Sequence, residues 1–146
     1  MSPVWHARCV TWLPRAGVLP FLLALSALAL GQQALPVLGP VLPIVLGYGV
    51  VIAAFMSGAL WGQVVMEPAA AIWLLFSNLL ALVTWAAAVW LSPQAALPVL
   101  TVVFVALWLA DRQRWRAGRV SSRYWRIRCE VTALVVPAVL GCAALA

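Results

Sequence analysis

The chain has no lysine, a single histidine (His6) and only three acidic side chains in 146 residues. Charged residues make up 8% of it, against roughly a quarter in a soluble domain, too few to cover a water-facing surface. One imidazole leaves no haem pair, zinc triad or serine–histidine dyad inside the apolar segments. The acids Glu67, Asp111 and Glu130 are scattered, and none pairs in sequence with another. No phosphate-binding loop or dinucleotide fingerprint is present. The three cysteines, Cys9, Cys129 and Cys142, are odd in number and lack a Cys-x-x-Cys pair, which fits small buried hydrophobes better than a disulfide framework or metal cluster. No catalytic residue, metal ligand or cofactor is assigned, and nothing argues for an enzyme.

What the chain has in abundance is apolar side chains, 66% of the total, with a mean hydropathy of +1.09. The bilayer is therefore the solvent for most of it. A spanning helix needs about 20 mostly apolar residues, because the backbone must satisfy its own hydrogen bonds in hydrocarbon. Five segments qualify: 17–31, 41–65, 69–91, 95–110 and 129–145. Breakers separate them, with Pro36, Gly39, Pro40 and Pro43 after the first, Glu67-Pro68 after the second and Ser92-Pro93 after the third. The expectation is an all-α bundle of about five transmembrane helices, one membrane domain over residues 1–146.

Arginine placement sets an orientation. Seven of the nine arginines fall between Arg112 and Arg128, and Arg8 and Arg15 precede the first span. The positive-inside rule puts both regions in the cytoplasm. Five spans achieve this, with the uncharged Gln32 and Ser92 connections on the other side; losing any of the first four spans would separate the two basic regions. The chain is thus expected in a bacterial inner membrane, N-terminus cytoplasmic and C-terminus periplasmic. Arg8, Arg15, the run 17–30 and Ala29-Leu30-Gly31 also look like a secretory signal. We expect this segment to be retained as a span; its removal would leave the other four oriented the same way.

Several groups stand out against the apolar background. Ala54, Gly58 and Gly62 recur every four residues in the second span, a small-residue face suited to helix packing within the bundle or to a homodimer seam. Most of the nine tryptophans lie near span ends, as interfacial anchors do. Asn78 is the one strongly polar group expected deep in the membrane, where hydrogen bonding between helices would satisfy it. Gln63 and Glu67 lie four apart at the end of the second span; Glu67 is expected to reach water, and Glu130 to pair with Arg126.

The stretch 111–128 reads as a basic cytoplasmic loop. Arg114, Arg116, Arg119, Arg123 and Arg126 are expected to contact anionic lipid head groups, each contributing about 1 kcal/mol near such a leaflet. A membrane-protein partner or a further copy of the chain is a second expectation; nucleic acid is not one, since the loop must stay close to the bilayer. Tyr124, Arg128 and Thr132, at i, i+4 and i+8, form one stripe where the last helix begins.

Two stretches, 48–62 and 111–132, resemble the domain-of-unknown-function 3429 family, to which transmembrane protein 69 of animals belongs. The features shared with it are Tyr48, Gly49, Ile52, Gly58, Trp61 and Gly62 in one helix, the Asp111-Arg112 pair, the Tyr124-Arg128-Thr132 stripe, and Leu19-Pro20-Phe21 in the first span. Relatives often carry histidine before the Trp-Gly pair, where this chain has Leu60. The resemblance implies a small multi-spanning membrane protein of bacteria and mitochondria with no established activity. The leading expectation is a non-enzymatic accessory or assembly protein; the alternative is a binder or transporter of a lipid or quinone-like molecule. Tyr48, Trp61, Asn78, Asp111, Arg112, Tyr124, Arg128 and Thr132 are the candidate functional cluster.

Overall fold

A computed structural model describes residues 3–67 and 70–146. Pro68 and Ala69, where the break before the third span was expected, lie outside the described residues, as does the His6 side chain. The elements are α1 (Pro3–Ala16), α2 (Leu19–Ala29), β1 (Ala34–Leu35), β2 (Gly39–Pro40), α3 (Val41–Val64), α4 (Ala71–Trp90), α5 (Pro93–Arg116) and α6 (Ser122–Ala144). Among the described residues, five helical stretches are long and apolar enough to cross a membrane: Arg8–Ala29, Val41–Val64, Ala71–Trp90, Pro93–Arg116 and Ser122–Ala144. The protein is an all-α membrane bundle.

The connections follow from local chemistry. Gly31 (φ 76°) ends α2, its N–H donating to Leu28 while the Gln32 N–H reaches back to Ala27, the paired bonds of a Schellman cap. Ser92 caps α5 by accepting from the Ala95 N–H at 3.3 Å, with Pro93 at the first helical position where its missing N–H costs nothing. Between α2 and α3 lies a two-residue antiparallel pairing, Ala34 with Pro40 and Leu35 with Gly39.

The first span is broken rather than continuous. Pro20 has no N–H to give, and the Phe21 N–H bonds Val18 instead of Gly17, one turn back in an α-helix. The Gly17 carbonyl is completed from outside by the Tyr48 hydroxyl of α3 at 2.9 Å.

α5 is the central helix, packed against α3, α4 and α6, while α2 lies on α6 and α3. Leu97, Leu100, Val103 and Leu107 of α5 fill the core with Phe21, Val45 and Val139. Gly49 is needed where α3 meets α5, since a methyl group there would overlap Leu100. Phe21 packs against Tyr48 and Phe104, ring centroids 5.1 and 6.0 Å apart.

The arginine-rich stretch differs from the expected loop. α5 continues to Arg116 and α6 begins at Ser122, leaving a turn of Ala117 to Ser121. At 24 residues and 1.5 Å per residue, α5 is roughly 36 Å long, so it outruns a hydrocarbon core of about 30 Å. Its charged end stays helical beyond the apolar zone. A second Schellman cap stops it at Gly118 (φ 70°), with the Arg119 N–H on the Arg114 carbonyl.

Candidate functional site

α5 and α6 run side by side into this turn, and their last and first turns bring opposite charges together. Asp111 is only 3% exposed. Its Oδ2 accepts from Arg128 Nε at 2.5 Å, and its Oδ1 from the Tyr124 hydroxyl at 3.1 Å. Tyr124 and Arg128 are one helical turn apart on α6, so a single carboxylate on α5 serves both. Each oxygen of Asp111 is engaged, which is what a buried carboxylate requires.

One turn beyond Asp111, Arg114 performs the same task between α5 and α3. It is buried; its Nε donates to Gln63 Oε1 at 3.2 Å and its Nη2 to Glu67 Oε1 at 3.0 Å. That hydrogen bond holds the Glu67 carboxyl below its ordinary pKa of 4.5, with the charges of Arg114 and Arg119 acting the same way against partial desolvation. Arg119 approaches Glu67 Oε2 more loosely, at 4.0 Å. At this end of the bundle α5 is therefore tied to α3 through Arg114 and Gln63 and to α6 through Asp111 and Arg128.

A third ion pair fastens the start of the chain to α6. Arg15 places Nε and Nη2 on Glu130 Oε2, at 3.0 and 2.5 Å, and gives Nη1 to the Thr11 carbonyl. Arg123 of α6 reaches the Thr11 hydroxyl. Beside these, Trp125 stacks on Trp115 and leans on Trp108, both at 5.4 Å, and Trp108 donates its indole N–H toward Cys129 Sγ at 3.4 Å.

Asp111, Tyr124 and Arg128, expected as a cluster, do meet. Thr132 follows one turn on, half-buried, and Arg112 turns aside to lie over the Trp108 ring, 6.0 Å from its centroid. The rest of the expected cluster is elsewhere. Tyr48 is 15 residues before Gln63 on α3, roughly 22 Å along the helix, and serves Gly17. Trp61 is 43% exposed on the outside of α3. Asn78 is exposed and bonds the Leu74 carbonyl of its own helix, not another helix.

Three further expectations are corrected. Ala54, Gly58 and Gly62 do not pack within the bundle: all three are exposed, and nothing lies within 4 Å of a methyl group built on Gly58 or Gly62. The buried face of α3 is Gly49, Ala53, Ser57, Leu60 and Val64 instead. Arg114 is not a lipid contact but a buried tie, whereas Arg116, Arg119, Arg123 and Arg126 are exposed. Glu130 pairs with Arg15 rather than Arg126; Glu67, expected to reach water, is 28% exposed and also pairs with Arg114. Leu60, at the position where histidine is common in the resembled family, is core.

Gln63, Glu67 and Arg114 are the residues whose joint role sequence reasoning missed. A signal existed: Gln63 and Glu67 share a face at one helix end, and Arg114 follows Asp111 by three, the spacing that keeps it near the same face of α5. Among the described residues, no group of three or more histidine, cysteine or acidic side chains is placed to hold a metal.

One known family, described as Protein of unknown function (DUF3429), matches residues 6–144. Comparison with curated proteins gave no match, and neither did comparison with solved structures.

Proposed function

We propose, for a chain that belongs to the DUF3429 family, a non-enzymatic role as an accessory or assembly protein that works through contacts in the plane of the membrane. The observation that carries this reading is where the chain places its small residues. Ala54, Gly58 and Gly62 form an open strip on the outside of α3, beside Trp61. In lipid, helices associate by close van der Waals approach, and a strip without bulky side chains permits it.

The charged groups support the same reading from the other side. Glu67, Asp111 and Glu130 are each held by an arginine. These pairs join helix ends, and their natural consequence is a fixed bundle shape.

The setting that fits is a bacterial inner membrane with the arginine-rich end in the cytoplasm. Five crossings then put Arg15 and the 111–128 stretch on one side and the C-terminus in the periplasm, as the positive-inside rule favours.

The test is purification of the full chain from its native membrane in mild detergent, followed by mass measurement of the intact particle, for wild type and for the double variant G58L/G62L. The expected result is a wild-type particle heavier than one chain, reduced to a single chain in the variant with thermal stability retained. A wild type that is one chain alone would refute the reading.

A further inference from the structure

A groove runs along the outside of the α4–α5 pair, with a volume of about 700 Å³. Ile72, Leu75, Phe76 and Leu79 form one wall, and Ala106 and Leu109 the other. Seven residues separate Ile72 from Leu79, so the apolar trough extends roughly 10 Å along the helices. At the arginine-rich end it meets a second recess of about 290 Å³, containing Glu67, Arg114 and Arg119. Trp73 and Gln113 line both, so the two hollows adjoin.

The two parts differ in chemistry. The trough is walled by apolar side chains and opens toward the hydrocarbon. The recess has two guanidinium groups against one carboxylate, an excess of one positive charge. Arg114 is already committed to Gln63 and Glu67, but the Arg119 side chain is 60% exposed and only loosely placed beside Glu67. It lines the recess while remaining accessible to solvent. Trp73 stands between the zones with the amphipathic character that suits head-group depth.

We propose that this α4–α5 groove is a binding site for an anionic phospholipid, with an acyl chain in the trough and the phosphate held by Arg119. Charge complementarity selects the occupant. A head group of net charge −1, such as phosphatidylglycerol, matches the excess, whereas the choline cation of phosphatidylcholine cancels its own phosphate and adds a positive charge beside Arg119; an acyl chain fills the apolar hollow. A neutral quinone would leave the excess charge uncompensated. The site is separate from the outer face of α3, so its failure would leave the interaction reading standing.

The test uses the full chain, purified in mild detergent and examined by native mass spectrometry with palmitoyl-oleoyl phosphatidylglycerol or phosphatidylcholine added. Wild type is expected to retain phosphatidylglycerol at least fivefold more than phosphatidylcholine. R119Q should cut that retention at least threefold, whereas R116Q, an exposed arginine outside the groove, should leave it unchanged. A106F, which fills the trough without touching a charge, should also lose the lipid. If A106F does not fold, L75W obstructs the opposite wall from an exposed position. Equal retention of the two lipids, an equal loss in R116Q, retention in the trough-filling variant, or displacement by added ubiquinone would each overturn the proposal.

Discussion

The Tyr48 hydroxyl donates to the Gly17 carbonyl at 2.9 Å, joining α3 to the break between α1 and α2 across 31 positions of sequence. Two features of the family resemblance, Leu19-Pro20-Phe21 and Tyr48-Gly49, are thereby one device. Pro20 interrupts the helix, the interruption strands a carbonyl in an apolar setting, and Tyr48 satisfies it while its ring packs on Phe21. Replacing Tyr48 with Phe keeps the ring and removes the donor. The expected cost is about 1–2 kcal/mol, the usual penalty for orphaning a part-buried acceptor, measurable as a lower midpoint in thermal denaturation in detergent.

Glycine substitutions in α3 should divide sharply by face. G49A drives a methyl into Leu100 and is expected to destabilise by about 1–3 kcal/mol. G58A and G62A meet open space and should leave the stability of a single chain unchanged or slightly raised, since alanine favours helix by up to about 1 kcal/mol. Parallel thermal melts of the three variants check this.

Glu67 confers a pH dependence with a definite sign. Its carboxyl is held below 4.5 in the folded protein by Arg114. The unfolded chain therefore takes up the proton first as pH falls. The stabilisation is fully present above about 4.5, declines as pH drops through the lowered folded value, and is gone beneath it. Melting temperature recorded from pH 7 to pH 3 should show that decline in wild type and a shallower one in E67Q.

The Arg15–Glu130 pair is weaker despite its good geometry, because its side chains remain 34% and 43% exposed. Solvent screening limits such a pair to about 0.2–1 kcal/mol. E130Q should therefore shift the melting midpoint far less than any change at Asp111, and high salt should narrow the difference from wild type.

The spans were legible because a helix in hydrocarbon has to be long and apolar, and no other part of this chain is. Their ends were less so. Arg112, Arg114 and Arg116 read as loop residues, yet a helix that has left the hydrocarbon keeps its own hydrogen bonds and simply continues. The direction of α3 was illegible for a different reason. With lipid on one side and protein on the other, apolar side chains suit both, so Ala54, Gly58 and Gly62 carry no mark of which way they face. Charge pairing shows the same limit. Tyr124 and Arg128 share a stripe one turn apart and were found together with Asp111, but Glu130 chose Arg15 at a separation of 115 positions over Arg126 at four. Local spacing cannot see a partner brought in by the bundle.

At the arginine-rich end of the bundle, the Asp111–Arg128 pair is a buried tie between α5 and α6. The most direct measurement is a double-variant cycle on thermal stability with D111L, R128L and D111L/R128L. Each single variant leaves one buried charge without its partner and is expected to lose about 3–5 kcal/mol. The double variant removes both charges and should recover at least half of that loss. If the double variant loses the sum of the two single losses, or if either single variant is as stable as wild type, the pair is not a structural tie.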